Sequence, residues 1–410
     1  MPSVYAKQTV PDLPRIGLPH DNAQFWFVGL VGATIAGITL YVTDLLSWQT
    51  GQNFLMGCLL GYVLYRATFG FTGPWRNFIV HGRGLGMRKT FAMLAAAAVV
   101  IMSLGALGGY PTVVHPVGWS LLIGAFLFGV GMQWGGCCGS GTAYVAGGGS
   151  ARVMVTLLFF IVGSVWGSVD APYWWGWAKF GRFSLVEETG LAPAILLTLA
   201  VLGGLALMTA RIERARHGAL QGFEPNGDTG VNRLIYGPWS PMTGGVVMGV
   251  LAGLVLVVTH QPWGITFGYT LYGVKALAAV GIDPAAWTAP GSDMAFWGMD
   301  WAQKALHEEP FWRNAAANMN IGIILGAALA AGLVGKWRPS FKDVPVLSIV
   351  AAALGGILMG YGARISTGCN IGAMVNGIAS GSIHGWVWMA AAFAGNFAAV
   401  WTRPWFRMEN

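Results

Sequence analysis

Two short glycine-rich stretches carry the residues best able to do chemistry. Residues 129–149 read GVGMQWGGCCGSGTAYVAGGG, and residues 360–381 read GYGARISTGCNIGAMVNGIASG. At a single offset of 231 residues, Gly129 pairs with Gly360, Gly131 with Gly362, Cys138 with Cys369 and Gly141 with Gly372. The chain has only 4 cysteines, so a thiol repeated at this offset points to two related halves. Each stretch joins apolar runs, and its glycines read as a helix break. A helix that stops inside a bilayer leaves amides with no water to bond, and such an N-terminus attracts anions. C-G-S-G and C-N-I-G place Cys138 and Cys369 beside the expected helix starts, with Ser140 and Asn370 as neutral polar neighbours. A thiol is a weak, soft donor suited to brief contact with a polarisable ion. The plain alternative is close packing by glycine, with cysteine as a small buried apolar residue. That alternative explains one break more easily than two matched ones.

The remaining candidates divide by their surroundings. Cys137 adjoins Cys138, but adjacent cysteines lack C-x-x-C spacing and no His or Cys partner lies nearby in sequence. A metal is therefore weakly supported and no cofactor is expected. Cys58, mid-span beside Gly57, reads as packing, and His81, His115 and His260 fall at span ends. Arg364 lies inside an apolar run, where a charge is costly and usually functional. It either balances an anion near Cys369 or satisfies carbonyls. Arg66 carries a weaker form of the same argument. A second, looser pairing sets Met56-Gly57 and Gly61 against Met248-Gly249 and Gly253. After a two-residue shift it sets Gly70-Phe71-Thr72 against Gly264-Ile265-Thr266, which adds Thr72 and Thr266 to the candidate substrate contacts.

The elements that must position these residues are membrane helices. The 410 residues are 55% hydrophobic and 10% charged, against about 25% charged in soluble domains. The mean hydropathy is +0.58, and several apolar runs approach the ~20 residues that cross a bilayer core. The expected fold is an all-α polytopic membrane protein. Its formal charge of +7 sits in short loops, the positive-inside pattern, so the partner is the lipid bilayer and not nucleic acid. The first 20 residues lack an apolar signal core, so no cleaved leader is expected. No G-x-x-x-x-G-K-[ST] loop occurs, which removes ATP as the driver.

Spans are expected over 25–46, 53–65, 90–109, 118–132, 153–169, 193–208, 243–258, 315–334, 346–359 and 384–401. TFGFTGPW at 68–75 is too broken to span and reads as a re-entrant half-helix. Within 259–314, the stretch from 297 reads as amphipathic and interfacial. The organisation is a first membrane repeat over 1–210, a cytoplasmic linker over 211–242 and a second membrane repeat over 243–410. Lys and Arg place the N-terminus (Lys7, Arg15), the 66–89 loop, Arg152, the linker, the 335–343 loop and the C-terminus on one side. The two breaks are then approached in opposite directions. That predicts inverted-topology repeats about an axis in the membrane plane.

At R66-A-T-F-G-F-T-G-P-W-R-N, at C138-G-S-G and at G362-A-R-I-S-T-G-C369-N-I-G, the chain resembles the YeeE/YedE family of bacterial inner-membrane proteins. The resemblance implies an hourglass of membrane helices and re-entrant half-helices without a soluble domain. It also implies uptake of thiosulfate along buried cysteines, with another branch tied to selenium. One departure is Gly70, where the family commonly has a cysteine. The resulting reading is a multi-pass permease of the bacterial inner membrane for a small sulfur-containing anion, and not an enzyme. The alternatives are a selenium-compound transporter, a non-transporting scaffold and a membrane thiol relay. In the relay, Cys138 or Cys137 becomes a persulfide and hands sulfur to a cytoplasmic sulfur-carrier protein.

Overall fold

In an apolar slab a backbone can bond only to itself, so uncharged apolar runs become helices. The computed structural model describes residues 23–222, 237, 239–342 and 344–409. Among them, nine helical stretches are long and apolar enough to cross a membrane. The first half contains α1 (Phe25–Leu45), α2 (Trp48–Arg66), α3 (Thr72–His81) and α4 (Leu85–Gly108). It continues with α5 (Trp119–Gly135), α6 (Gly139–Gly147), α7 (Ala151–Trp175) and α8 (Leu191–His217). The second contains α9 (Pro241–Thr259), α10 (Thr266–Ala279), α11 (Ala315–Leu333), α12 (Val346–Ile365) and α13 (Ile383–Val400). Between α12 and α13, a π-helical turn Asn370–Val375 runs into Asn376–Ala379. At 10 residues, α3 is about 15 Å long, half of a bilayer core.

Several boundaries move from their expected places, each for a local reason. α2 begins at Trp48 because Ser47 caps it, its hydroxyl accepting from the Thr50 amide. α8 runs past 211 to His217 because Glu213, fully buried, is bonded to Arg88 at 2.8 Å and to the Gly84 and Gln221 amides. The helix thus takes in the first residues of the segment expected as linker, of which 223–236 and 238 lie outside the described residues, as do Lys7 and Arg15. α12 continues to Ile365, which puts Arg364 in its last turn and not in the break. The 259–314 segment holds α10 itself, and the rest of it, between α10 and α11, is a string of short helical turns; where an amphipathic helix was expected from 297, Asp300–Gln303 runs into a π-helical Lys304–Glu308. Trp297 pins it by donating to the Ser168 hydroxyl of α7 at 2.9 Å.

The helices interlock across the halves. α2 packs on α11 and α4 on α9, while α7 packs on α12, α5 on α13, and α5 on α12. Glycines set these distances. A Cβ on Gly57 would collide with the Met319 carbonyl, and one on Gly249 with the Met93 carbonyl. At the α5–α12 crossing, a Cβ on Gly131 would lie 2.7 Å from the Gly355 carbonyl oxygen, and one on Gly362 2.5 Å from that of Gly124. Shifting either contact by 231 residues gives the other, and the helices run antiparallel.

This packing makes a direct prediction. Gly61 faces the Ile323 backbone, whereas nothing lies within 4 Å of a Cβ on Gly32. Gly61→Val should cost about 1–3 kcal/mol or more through overpacking, lowering the melting temperature and the monodisperse yield in detergent. Gly32→Val should match the parent, and equal behaviour of the two variants would contradict the packing.

Candidate functional site

The first break is a helix end rebuilt from side chains. Cys138 is the N-cap of α6, in extended conformation, and its sulfur accepts from the Gly141 amide at 3.3 Å. Ser140 Oγ lies 3.7 Å from the same sulfur. Just upstream, the last carbonyls of α5 would be orphans. Arg152 donates to the Gly135 carbonyl at 2.9 Å and the Trp134 carbonyl at 2.5 Å. Arg403 donates to Gln133 O at 2.6 Å, and Thr156 Oγ1 adds a second donor to Gly135 O at 3.1 Å. Cys137 gives its thiol to the same Gly135 carbonyl.

The second break uses neutral groups for the same work. Cys369 occupies the N-cap before Asn370–Val375 but makes no capping bond. Ser366 Oγ donates to Gly362 O at 2.7 Å and itself accepts from Trp388 Nε1 at 3.0 Å. Both side-chain amide atoms of Asn370 are buried without a hydrogen-bond partner.

The fold brings the two breaks together. A Cβ on Gly139 would lie 3.0 Å from both Cβ and Sγ of Cys369, so only glycine lets that thiol approach the residue after Cys138. Tyr269, from α10, donates to the Gly139 carbonyl at 3.2 Å and sits 3.2 Å from Thr142 Oγ1. Cys138, Cys369, Ser140 and Asn370 are each at most 2% exposed. Against Cys138 lies a cavity of about 160 Å³, lined among others by Thr68, Gly70, Thr72, Cys137 and Tyr144. Thr72 Oγ1 is buried there without a partner. Cys369 does not line this cavity, so the opening ends at Cys138. Through Thr68, Gly73 and Pro74 the cavity adjoins a vestibule of about 680 Å³.

Thus Cys138, Cys137, Ser140, Thr72, Cys369 and Asn370 gather in one region. Thr266 begins α10, and its carbonyl accepts from Thr270 Oγ1; its neighbour Ile265 approaches Gly139. Arg364 is not against Cys369. Its guanidinium lies 5.0 Å from the Phe296 ring and 5.5 Å from the Phe267 ring, with Nε buried and unpartnered. Arg66 lies at the end of α2, over the Tyr62 ring. Cys58 belongs to the packing of α2 on α11, where its backbone faces Gly322 and Gly326. Among the described residues, no group of three His, Cys, Asp or Glu could hold a metal ion. Tyr269, Thr142 and Tyr144 were missed. Tyr269 stands one turn after Thr266, so the looser repeat pairing held a signal for it.

The sequence profile described as "Sulphur transport" matches residues 66–398, taking in both breaks. The chain belongs to the sulphur transport family. It is 25% identical over 364 residues to the thiosulfate transporter TsuA of Escherichia coli (strain K12), covering 86% of this chain and 93% of that one. It is 27% identical over 360 residues to the thiosulfate transporter TsuA of Spirochaeta thermophila, covering 85% of this chain and 97% of that one. A probable transporter, YedE of Salmonella typhimurium, is 29% identical over 175 residues, covering 42% of this chain and 40% of that one.

The meeting of the breaks is testable by size alone. Gly139→Ala should displace Cys369 and cut cellular sulfur uptake about tenfold, at normal protein level in the membrane. Gly372→Ala, where nothing lies within 4 Å, should keep uptake. Equal uptake by the two variants would contradict the arrangement.

Proposed function

We propose that this protein is a permease carrying a small sulfur-containing anion of the thiosulfate type inward across the bacterial inner membrane. It acts as a transporter and not as an enzyme. The observation that carries this reading is the packing of Cys369 at Gly139, beside Cys138, where two broken helices meet in a buried, neutral setting. Thiols are weak donors, and conduction needs successive sites that bind without trapping. The orphaned Thr72 hydroxyl and Asn370 amide supply polar contacts that a passing oxyanion would satisfy. The relatives named for thiosulfate support the choice of anion.

The same reading includes inverted repeats. Contacts Gly131–Gly355 and Gly124–Gly362 exchange at the 231-residue offset between antiparallel helices. A two-fold axis relating antiparallel membrane-crossing helices is perpendicular to them, hence in the membrane plane. In this arrangement α3, α6 and the Asn370–Val375 turn with its continuation are re-entrant half-helices. The basic residues assign Arg66, Arg76, Arg152 and Arg403 to the cytoplasmic side.

Growth of a host lacking sulfate uptake, with thiosulfate as its sulfur source, tests the function. The wild-type protein should support growth, and Cys138→Ala and Cys369→Ala should each remove most of it. Cys58→Ala should grow normally and Cys137→Ala nearly so. Growth of the Cys138 and Cys369 variants at the wild-type rate would overturn the thiol path. For the repeats, a reporter fused after Arg216 should read cytoplasm and one at Ala286 periplasm. Both on one side would remove the inverted arrangement.

A further inference from the structure

The vestibule beside the Cys138 cavity carries charge that the transport reading leaves unused. Its lining includes Arg76, Asn77, His81, Lys89 and Gln221, and no Asp or Glu among the described residues. Arg76, at the middle of α3, makes no hydrogen bond or ion pair with any described residue. Lys89 is 6% exposed and donates to the Ala67 carbonyl at 3.3 Å and the Thr68 carbonyl at 2.9 Å. An ammonium has three donors, so one is left beyond the two carbonyls, on a nitrogen that also lies 4.8 Å from the centre of the Phe69 ring. Glu213 does not neutralise this pair, because it is engaged by Arg83 and Arg88. Two cations lining one opening without a counter-charge among the described residues are costly near a membrane interior, and a doubly charged anion removes that cost.

We propose that this vestibule is a second anion site, binding a small divalent oxyanion such as sulfate or thiosulfate between Arg76 and Lys89. Arg76 offers a planar fork that matches two oxygens of such an ion, and Lys89 adds its remaining N–H while holding the end of α2. Thr68, Gly73 and Pro74 line both openings, so this site stands next to the cavity at Cys138. At about 680 Å³ the vestibule is far larger than the ion, so the ion stays partly hydrated and exchanges readily. The role as an exit station rests on the proposed anion path, whereas the binding itself does not.

The test uses the full chain with Asn77→Cys as a reporter on the exposed part of the lining. The native cysteines are buried, and the unsubstituted protein supplies the blank. A negatively charged methanethiosulfonate should modify this thiol about tenfold faster, relative to a neutral one, than when Arg76→Gln is added. Arg76→Lys should keep most of that excess. Sulfate or thiosulfate at about 10 mM should protect the thiol while Arg76 is present, as expected of a weak, millimolar site. An excess indifferent to Arg76, or no protection by either ion in the Arg76 protein, would overturn the site. Protection needs no change at Arg76, so misfolding of Arg76→Gln would leave the test intact. Repeating it with Cys138→Ala separates the two proposals, because the vestibule should still bind if the thiol path is wrong.

Discussion

A helix that stops within a membrane strands amides at one end and carbonyls at the other, and in the arrangement proposed above this protein is built around two such stops. The rest of the fold supplies partners for them. At the first stop the stranded carbonyls of α5 receive two arginines and a threonine, and at the second the work falls to Ser366 backed by Trp388. The contrast has an electrostatic sense. A guanidinium is affordable near a membrane face, where its charge reaches water or headgroups, while neutral donors suit an end without that access. The Gly141 amide is met by a cysteine sulfur, so a capping position and a candidate ligand are one residue.

Proximity of the thiols then follows from packing. Glycines at the crossings of α2 with α11, α4 with α9 and α5 with α12 remove the side chains that would hold those helices apart. With the helices that close, α6 reaches the second break, and Gly139 alone separates its start from Cys369. Tyr269 holds that join by bonding the Gly139 carbonyl. The side chains at that join, Cys138, Ser140, Thr142, Tyr269 and Cys369, are neutral, which suits an ion that must be recognised and released within one passage.

Much of this was legible in the residues, for identifiable reasons. The 231-residue repeat marked both cysteines because a rare residue type recurred in a fixed glycine frame, and Gly131 and Gly362 of that frame lie in the structure at the crossing of α5 with α12. Apolar runs marked nine of the ten expected membrane helices, since composition and length decide them; the run over 53–65 lies in α2, which is not among the stretches long and apolar enough to cross. What stayed hidden depends on contacts between distant segments. Arg364 stood out as a charge in an apolar run, but the rings that receive it, Phe267 in α10 and Phe296 in the short turns that follow, are distant in sequence, so no local pattern records the contact. The end of α8 was missed because a buried Glu213 extends the helix through partners 125 or more residues away in sequence, an effect no local pattern records. The cavity and vestibule are likewise products of the packed chain.

The central claim is that Cys138 and Cys369 together form the path of a sulfur-containing anion. Purified protein in sealed liposomes, given an inward gradient of labelled thiosulfate, measures this with no other transporter or carrier present. The account predicts accumulation by the wild-type protein and only the rate of empty liposomes for the combined Cys138→Ala, Cys369→Ala variant. Accumulation by that double variant at the wild-type rate would contradict it.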